Sequence, residues 1–168
     1  MTVVGLKMVN TDPTREIDNQ YSVMEVGDIA SLKFLAPQKE LPAAENATLF
    51  LWATPPLIEH ALYVMREWGF KYRTNAVWDK CIIGMGAYFR LQHEHLLLGI
   101  KGEPKTPSYN NTENMVSSVI RSKRTEHSVK PDIVYEIIEG MYPDAQRLEL
   151  FARGEREGWT TWGNEITR

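Results

Sequence analysis

The segments KPDIVYEIIEG (residues 130–140) and LELFARG (residues 148–154) decide the fold of this chain. Pro131 suits the first turn of a helix, because its missing N–H would have no partner there and its φ angle is already helical. Gly140 is placed to end that helix, and residues 142–145 form a turn. The apolar residues recur at helical spacing: Ile133, Val134, Ile137, Ile138 and Met141. We therefore predict a helix, a tight return and a buried strand that ends in charge at Arg153.

The rest of the chain alternates between strand and helix patterns. Residues 47–52 form an almost continuous apolar run, which is typical of a strand buried on both faces of a sheet. The proline pair that follows begins a helical pattern, which closes at Gly69. Strands are predicted at residues 3–9, 47–52, 74–78, 96–100 and, as a short edge strand, 119–120. This order predicts an α/β fold with a mostly parallel sheet flanked by helices.

Polar residues gather where the last predicted strand ends. In an open α/β sheet, ligands bind outside the carboxyl ends of the strands. Glu149 can be interpreted either as part of such a site or as a strand residue that faces solvent or a partner arginine, and we favour the latter. The set of candidates for a site is Lys130, Glu149, Arg153, Asn164 and Glu165.

Composition limits the class of protein. The 168 residues have room for one domain with a substantial core. Cys81 is the only cysteine, so an intrachain disulfide is excluded and a reducing compartment is expected. We find no secretory signal and no stretch of about 20 apolar residues that could span a membrane. The expectation is a soluble, intracellular, cytoplasmic protein that has no membrane partner.

Charge restricts how this chain could bind nucleic acid. The formal net charge is −3, so neutralisation of phosphates must come from a local patch. The best patch is Arg121, Lys123 and Arg124, with His127 beyond it. Three cations in four residues are often only a solvated loop. Their place just before the predicted ligand helix makes them candidates for nucleic-acid contacts.

Two weaker signals point elsewhere. His93 and His95 share one face of a strand, but no nearby cysteine or further histidine completes a tetrahedral set, so no metal is expected. Gly84-Met85-Gly86 lacks the third glycine and the helix of a dinucleotide-binding motif. A flexible loop is the better interpretation of that segment.

The segment HSVKPDIVYEIIEGMYPDAQRLELFARGEREGWTTWGNEI, residues 127–166, resembles the MT-A70 family of S-adenosylmethionine-dependent adenine N6-methyltransferases. Three family motifs occur in order: His-x-x-Lys-Pro at a helix start, Glu-Leu-Phe-x-Arg on a strand, and a closing Trp-x-x-x-Gly-Asn. The run LFLWATPPLIEHALYVMREWGFKYRTNAVWDK, residues 49–80, resembles the same family. The resemblance implies one Rossmann-like methyltransferase domain over residues 1–168.

The resemblance also implies that S-adenosylmethionine is the cofactor. Lys130 would pair with its carboxylate, aided by the positive end of the helix dipole. Arg153 and Asn164 would lie near the ribose, and Glu165 would accept both ribose hydroxyls. Two further residues belong to the implied cofactor set: Asp12, close to the cofactor's amino group, and Phe151, whose ring is better explained by packing.

Catalysis in this family implies roles for Asp12, Pro13 and Tyr21. The amine of adenine is a poor nucleophile, so an aspartate and a proline carbonyl would accept its two N–H bonds while an aromatic ring holds the base. The family carries Asp-Pro-Pro followed by an aromatic residue, but this chain continues with Thr14 and Arg15. Tyr21, within a segment similar to the family's Tyr-x-x-Met element, is the nearest ring that could replace the missing one.

The implied substrate contacts lie on the loops. They are Tyr21, Lys80, Tyr88, Arg121, Lys123 and Arg124. The resemblance implies methyl transfer to N6 of adenine, with DNA favoured over RNA. The alternative, kept open by Thr14 and Arg15, is a catalytically inactive MT-A70-like subunit that binds nucleic acid or a catalytic partner. A homodimer, or a heterodimer with another methyltransferase subunit, fits either hypothesis.

Overall fold

The computed structural model describes residues 24–32, 43–107, 115–125, 129–163 and 166, together with the backbone of residues 2–7. Seven strands form one sheet, and their order across it is β5-β3-β4-β2-β1-β6-β7. The strands are β1 (Thr2–Lys7), β2 (Ala47–Ala53), β3 (Lys71–Asp79), β4 (His93–Lys101), β5 (Val119–Arg121), β6 (Gln146–Leu150) and β7 (Thr160–Trp162). The helices are α1 (Val26–Ser31), α2 (Ile58–Glu67) and α3 (Ile133–Met141), with a 3-10 turn at Pro55–Leu57 before α2.

The sheet is mixed. The pairs β1–β2, β1–β6, β3–β5 and β6–β7 are parallel, and β4 pairs antiparallel with both β2 and β3. The α/β class predicted from the sequence is confirmed. The antiparallel direction of β4 was not foreseen, because a buried apolar strand carries no mark of its direction. It follows from the direct connection of β3 to β4, because residues 80–92 contain no helix that could carry the chain back for a parallel pairing.

Helices cover both faces of the sheet. Alternate residues of β2 point to opposite faces. Leu49 and Leu51 join the core beneath α1 and α2, where Val64 and Met65 of α2 are fully buried. On the other face, the β2 aromatic residues pack in the core beneath α3. The buried residues of that second core are Phe50, Trp52, Trp78, Leu96, Ile120, Val134, Ile138, Tyr142 and Trp159.

The sequence predicted the end of α2 correctly but not the end of α3. Gly69 has a φ of 80°, so it ends α2 in the left-handed conformation that glycine adopts without strain, as predicted. The prediction that Gly140 ends α3 was wrong. Helix α3 includes Gly140 and runs to Met141, because the Tyr142 N–H still donates to the Ile138 carbonyl. The buried Tyr142 ring, packed edge-on against Phe50, anchors this extra residue.

Candidate functional site

A cavity of about 450 Å³ opens at the edge of the sheet where β2 and β6 end. This volume lies in the range of roughly 300–1,000 Å³ that small-molecule sites occupy. Its floor is apolar and its rim carries charge. The residues that line it include Trp52 from β2, Lys130 before α3, Tyr135 on α3, Glu149 at the end of β6, and Phe151, Arg153 and Arg156 beyond it.

Lys130 forms the cationic wall of the cavity. Its Nζ makes an ion pair with Glu94 and lies 5.2 Å from the Trp52 ring centroid and 5.8 Å from that of Trp78. The Lys130 side chain is only 14% exposed. Burial lowers the pKa of Lys130, and the attraction of Glu94 offsets only part of that effect. The structure therefore brings the predicted cofactor lysine to a cavity, held between a carboxylate and two indole rings.

Glu94 is buried between two lysines. One carboxylate oxygen accepts from Lys130, and the other lies 2.7 Å from the Lys80 Nζ. Burial alone would raise the pKa of Glu94, but the two ammonium groups hold it below its usual value. Lys80 also lies 5.4 Å from the Trp78 centroid. Lys80, predicted to contact nucleic acid, thus turns inward. Its partner Glu94 was not among the predicted site residues.

Glu149 forms the opposite wall. Its carboxylate accepts a 2.8 Å hydrogen bond from the Tyr135 hydroxyl, and the Arg156 guanidinium lies 4.3 Å from the centroid of the Tyr135 ring. Burial raises the pKa of Glu149, against the opposing effects of Tyr135 and Arg156. Burial, with the Glu149 charge next, also raises the pKa of Tyr135. The interpretation favoured from the sequence was a residue that faces solvent or a partner arginine. Glu149 instead faces the cavity and accepts from Tyr135, while the nearby Arg156 charge does act on it.

We expect Glu149→Gln to stabilise the fold at neutral pH by about 1 kcal/mol, since the amide keeps an acceptor for Tyr135 without a buried charge. The folded protein holds the Glu149 proton more tightly than the unfolded chain does. The wild-type free energy of unfolding therefore falls as pH rises from the ordinary glutamate pKa through the raised one. The free energy of unfolding of Glu149→Gln should exceed that of the wild type by an increasing amount as pH rises across that window. At lower pH the two proteins should be equally stable.

Urea unfolding at several pH values between about 4 and 8 measures this gain. Glu136→Gln, on the exposed side of α3, is the matched control for the loss of one carboxylate. An equal gain at every pH would contradict the assignment to the Glu149 proton.

Phe151 turns the chain sharply at the end of β6. Its φ of 60° is a left-handed value that L-residues adopt only under constraint. The ring packs edge-on against Trp162 at 5.8 Å, and the Ala152 N–H donates to the Trp162 carbonyl. These contacts confirm packing for the ring, and Phe151 also lines the cavity. The turn places the exposed Arg153 at the rim, where the sequence predicted a cofactor contact.

Five predicted site residues lie outside the described part of the chain. They are Asp12, Pro13, Tyr21, Asn164 and Glu165. The strands that lead to them are described. β1 lies between β2 and β6, parallel to both, and pairs as far as Lys7 opposite Trp52 of the cavity. β7 ends at Trp162, which is paired with Leu150.

The basic segment lies next to the end of β3. Trp78 donates through its indole N–H to the Ser122 carbonyl at 2.8 Å, and the Ser122 N–H donates to the Asp79 carbonyl. Arg121 Nε is 3.7 Å from an Asp79 carboxylate oxygen, while most of the Arg121 side chain is exposed. Lys123 and Arg124 are exposed as well. The predicted basic patch is therefore exposed, and it lies at the end of β3 from which the β3–β4 loop leaves.

The β3–β4 loop, residues 80–92, exposes a group of large apolar side chains. Tyr88 is 98% exposed and Phe89 is 84% exposed, and Ile82, Ile83 and Met85 are also exposed. The loop nevertheless has internal backbone hydrogen bonds, from Gly84 to Leu91 and from Leu91 to Met85. Exposed apolar surface of this kind marks interaction sites. The loop therefore has more local structure than its glycines suggested.

The two histidines of β4 pack against each other. The His93 and His95 rings meet edge-on at 5.0 Å, and burial lowers the pKa of His95. Within the part of the chain that the structure describes, no group of three or more His, Cys, Asp or Glu residues is placed to hold a metal ion. None of the described helices is long and apolar enough to cross a membrane.

The sheet, covered by helices on both faces, and the charged cavity at its strand ends define an α/β protein with a cavity where ligands bind in folds of this class. The sequence profile of the MT-A70 family matches residues 8–165 of this chain. This match covers the cavity, all predicted site residues and every strand of the sheet except β1. The chain therefore belongs to the MT-A70 family, which includes N6-adenine methyltransferases, as the resemblance indicated.

Relatives of several kinds support this assignment. The type II methyltransferase M.MunI of Mycoplasma sp is 37% identical over 132 residues, which are 77% of this chain and 55% of that protein. The N(6)-adenosine-methyltransferase MT-A70-like protein of Arabidopsis thaliana is 34% identical over 99% of this chain and 24% of its own length. The human N(6)-adenosine-methyltransferase catalytic subunit METTL3 is 31% identical over 73% of this chain and 22% of its own length. The chain thus spans about a fifth to a half of these relatives.

Proposed function

We propose that this chain is an S-adenosylmethionine-dependent methyltransferase with a Rossmann-like domain that transfers a methyl group to N6 of adenine in DNA. The observation that carries the proposal is the cavity at the carboxyl ends of β2 and β6, with the Lys130 cation on one wall and the Glu149 carboxylate on the other. Because the chain belongs to the MT-A70 family, we infer that the reaction at this cavity is methyl transfer.

The described residues fit the cofactor by charge and shape. S-adenosylmethionine has an amino-acid end with a carboxylate and a sugar end with hydroxyl groups. Lys130 can bind the carboxylate, and the Glu149 carboxylate, one oxygen of which accepts from Tyr135, can accept from a hydroxyl group. The cofactor supplies the methyl group on a positively charged sulfur. The apolar floor at Phe50 and Trp52 would keep water from that centre.

The reacting amine must be held, since an adenine amine is a weak nucleophile. We assign Asp12 and the Pro13 carbonyl as acceptors for its two N–H bonds, and Tyr21 as the ring against the base. Catalysis then comes mainly from positioning the nitrogen behind the methyl carbon. In a duplex the target adenine would have to be flipped out of the stack. The exposed Tyr88 and the basic patch of Arg121, Lys123 and Arg124 are the candidates for holding the strand.

The test is incubation of the purified chain with methyl-labelled S-adenosylmethionine and separate pools of double-stranded and single-stranded DNA and RNA. Nucleoside analysis should show N6-methyladenine in DNA. Product in RNA alone would replace the proposed substrate, an outcome that the adenosine-directed names of several relatives make worth testing. No product in any pool, with no binding of the cofactor, would overturn the proposal.

A second candidate function is that of a non-catalytic MT-A70-like subunit. Thr14 and Arg15 stand where the family carries proline and an aromatic residue. The exposed apolar loop around Tyr88 and Phe89 provides a surface for another methyltransferase subunit, in a homodimer or a heterodimer. Cofactor binding without turnover, and turnover only with a catalytic partner added, would favour this candidate.

One pair of substitutions separates the two uses of the loop. Tyr88→Ala and Phe89→Ala should each weaken binding of a single-stranded DNA oligonucleotide about tenfold, because a base stacked on an aromatic ring is worth on the order of 1–3 kcal/mol. Fluorescence anisotropy at fixed salt measures the effect. Tyr63→Ala on α2 is the control for loss of an exposed ring. Unchanged DNA binding in both loop variants would assign the loop to a protein partner instead.

A further inference from the structure

Glu94 is a buried charged residue that the proposed reaction does not use. It is 8% exposed and lies on β4, opposite Trp78 in the ladder between β3 and β4. The backbone that carries this carboxylate is held by β3 at Glu94 itself and by β2 from the next residue, His95, onward. A charge in such a place is costly unless it has a specific partner.

The two carboxylate oxygens of Glu94 serve different lysines. One oxygen pairs with Lys130 on the cavity wall, and the other pairs with Lys80 at 2.7 Å. Lys80 is the first residue of the β3–β4 loop, and its N–H donates to the Gln92 carbonyl to close the base of that loop. The carboxylate group is rigid and planar, so it sets the distance between the two ammonium groups. The wall of the cavity and the base of the loop are thus joined through one side chain.

The surroundings restrict where the lysines can go. Trp78 lies under both ammonium groups, and Trp52 lies under Lys130, with the two indole rings 5.9 Å apart and edge-on. Without Glu94, the two ammonium groups would lie near these rings without the carboxylate that pairs with both of them. Glu94 and Lys80 are also the charged groups that act on Lys130, the first favouring its charged form and the second opposing it.

We propose that Glu94 is a positioning residue that fixes the Lys130 ammonium at the cavity wall and links it to Lys80 at the base of the β3–β4 loop. This proposal rests on the proposed function to the extent that Lys130 binds the carboxylate of the cofactor. Glu94 itself does not touch the cofactor. It acts through Lys130, whose charge and position it maintains.

Two readouts on the full chain test the proposal. The first is NMR titration of the lysine side chains in the free protein, with the Lys130 signal assigned by Lys130→Met. The second is the dissociation constant of S-adenosylhomocysteine, which has the same carboxylate and ribose, measured by calorimetry at each pH. The amino group of S-adenosylhomocysteine has the same ionisation in the measurements on every variant, so differences between variants come from the protein. The variants are Glu94→Gln, which removes the charge at constant volume, Glu94→Asp, which keeps it, and Lys80→Met.

In Glu94→Gln, the Lys130 midpoint should fall by at least about one pH unit, and affinity for S-adenosylhomocysteine should be lost at a correspondingly lower pH. Lys80→Met should raise the Lys130 midpoint and the pH at which affinity is lost, because it removes a positive charge close to Lys130. Glu94→Asp should restore most of the wild-type profile. If Glu94 had only a structural role, Glu94→Gln would weaken binding of S-adenosylhomocysteine by the same factor at every pH and leave the Lys130 midpoint unchanged. That result would overturn the proposal.

Failure of the proposed function would look different. If wild-type protein does not bind S-adenosylhomocysteine at any pH, the cofactor assignment falls, and the NMR titration still decides whether Glu94 holds Lys130 in its charged form. If Glu94→Gln does not fold, Glu94→Asp and Lys80→Met decide instead. An unchanged Lys130 midpoint in Lys80→Met would contradict the link between the two lysines.

Discussion

Lys130→Met is expected to weaken binding of S-adenosylmethionine about 100-fold. Lys130 is the most deeply placed of the cationic groups that line the cavity, since Arg153 and Arg156 lie toward the rim, and its ammonium is held by Glu94 against two indole rings. Loss of one partner from a desolvated, hydrogen-bonded charge pair costs on the order of 2–5 kcal/mol, and about 1.4 kcal/mol is a factor of ten. Methionine keeps the length of the side chain and its contact with Trp52. Isothermal calorimetry with the purified protein measures the change.

The matched control is Lys71→Met. Lys71 is exposed at the start of β3, at the end of that strand away from Asp79 and the loop. It should leave the affinity for the cofactor within about twofold, as expected for a surface substitution. Glu94 keeps its pair with Lys80 in Lys130→Met, so the variant should still fold. Wild-type affinity in a folded Lys130→Met protein would contradict the assignment of Lys130 to the carboxylate.

The fold could be predicted because its elements carry local signals. The apolar run of β2 and the helical spacing of α2, closed by Gly69, each specify an element without reference to the rest of the chain. The same is true of the start of α3, where Pro131 precedes the first helical turn. The end of α3 could not be read in this way. It depends on the Tyr142 ring packing against Phe50, which is a contact between residues far apart in sequence.

The site was predicted less completely, for a similar reason. Lys130 and Arg153 were found through motifs, and both line the cavity. Glu94 was not found, since a lone glutamate at the start of an apolar strand does not show which cations lie across the sheet. Its burial between Lys80 and Lys130 appears only once β4 is placed beside β3.

Glu149 shows which signal could have been used. Leu148 and Leu150 on either side of it pack beneath α1 and α2, so the alternation of a strand directs Glu149 to the α3 face. On that face it meets Tyr135 and the cavity. A raised carboxyl pKa at a cavity wall costs stability and is a common property of functional sites. The alternation was present in the sequence and predicts this orientation without the structure.

Asp12→Ala is expected to lower the rate of methyl transfer by at least about 100-fold while leaving affinity for S-adenosylmethionine within about tenfold. The carboxylate is assigned to accept an N–H of the target adenine, and loss of a positioned acceptor of this kind costs on the order of 10²-fold or more. Binding of the cofactor carboxylate is assigned to Lys130, which the substitution does not touch. Single-turnover transfer of the labelled methyl group to the DNA pool measures the rate.

The two halves of the Asp12 result must be measured on the same protein, because only their combination assigns the role. Loss of turnover with intact cofactor binding places Asp12 at the amine. Loss of both would mean that Asp12 serves chiefly the cofactor, as its second assigned contact allows. Asp28→Ala, at an exposed position in the first turn of α1, is the matched control for removal of an aspartate and should change neither quantity. Turnover that survives Asp12→Ala would show that another group accepts the N–H, and Asp12 would lose its place in the mechanism.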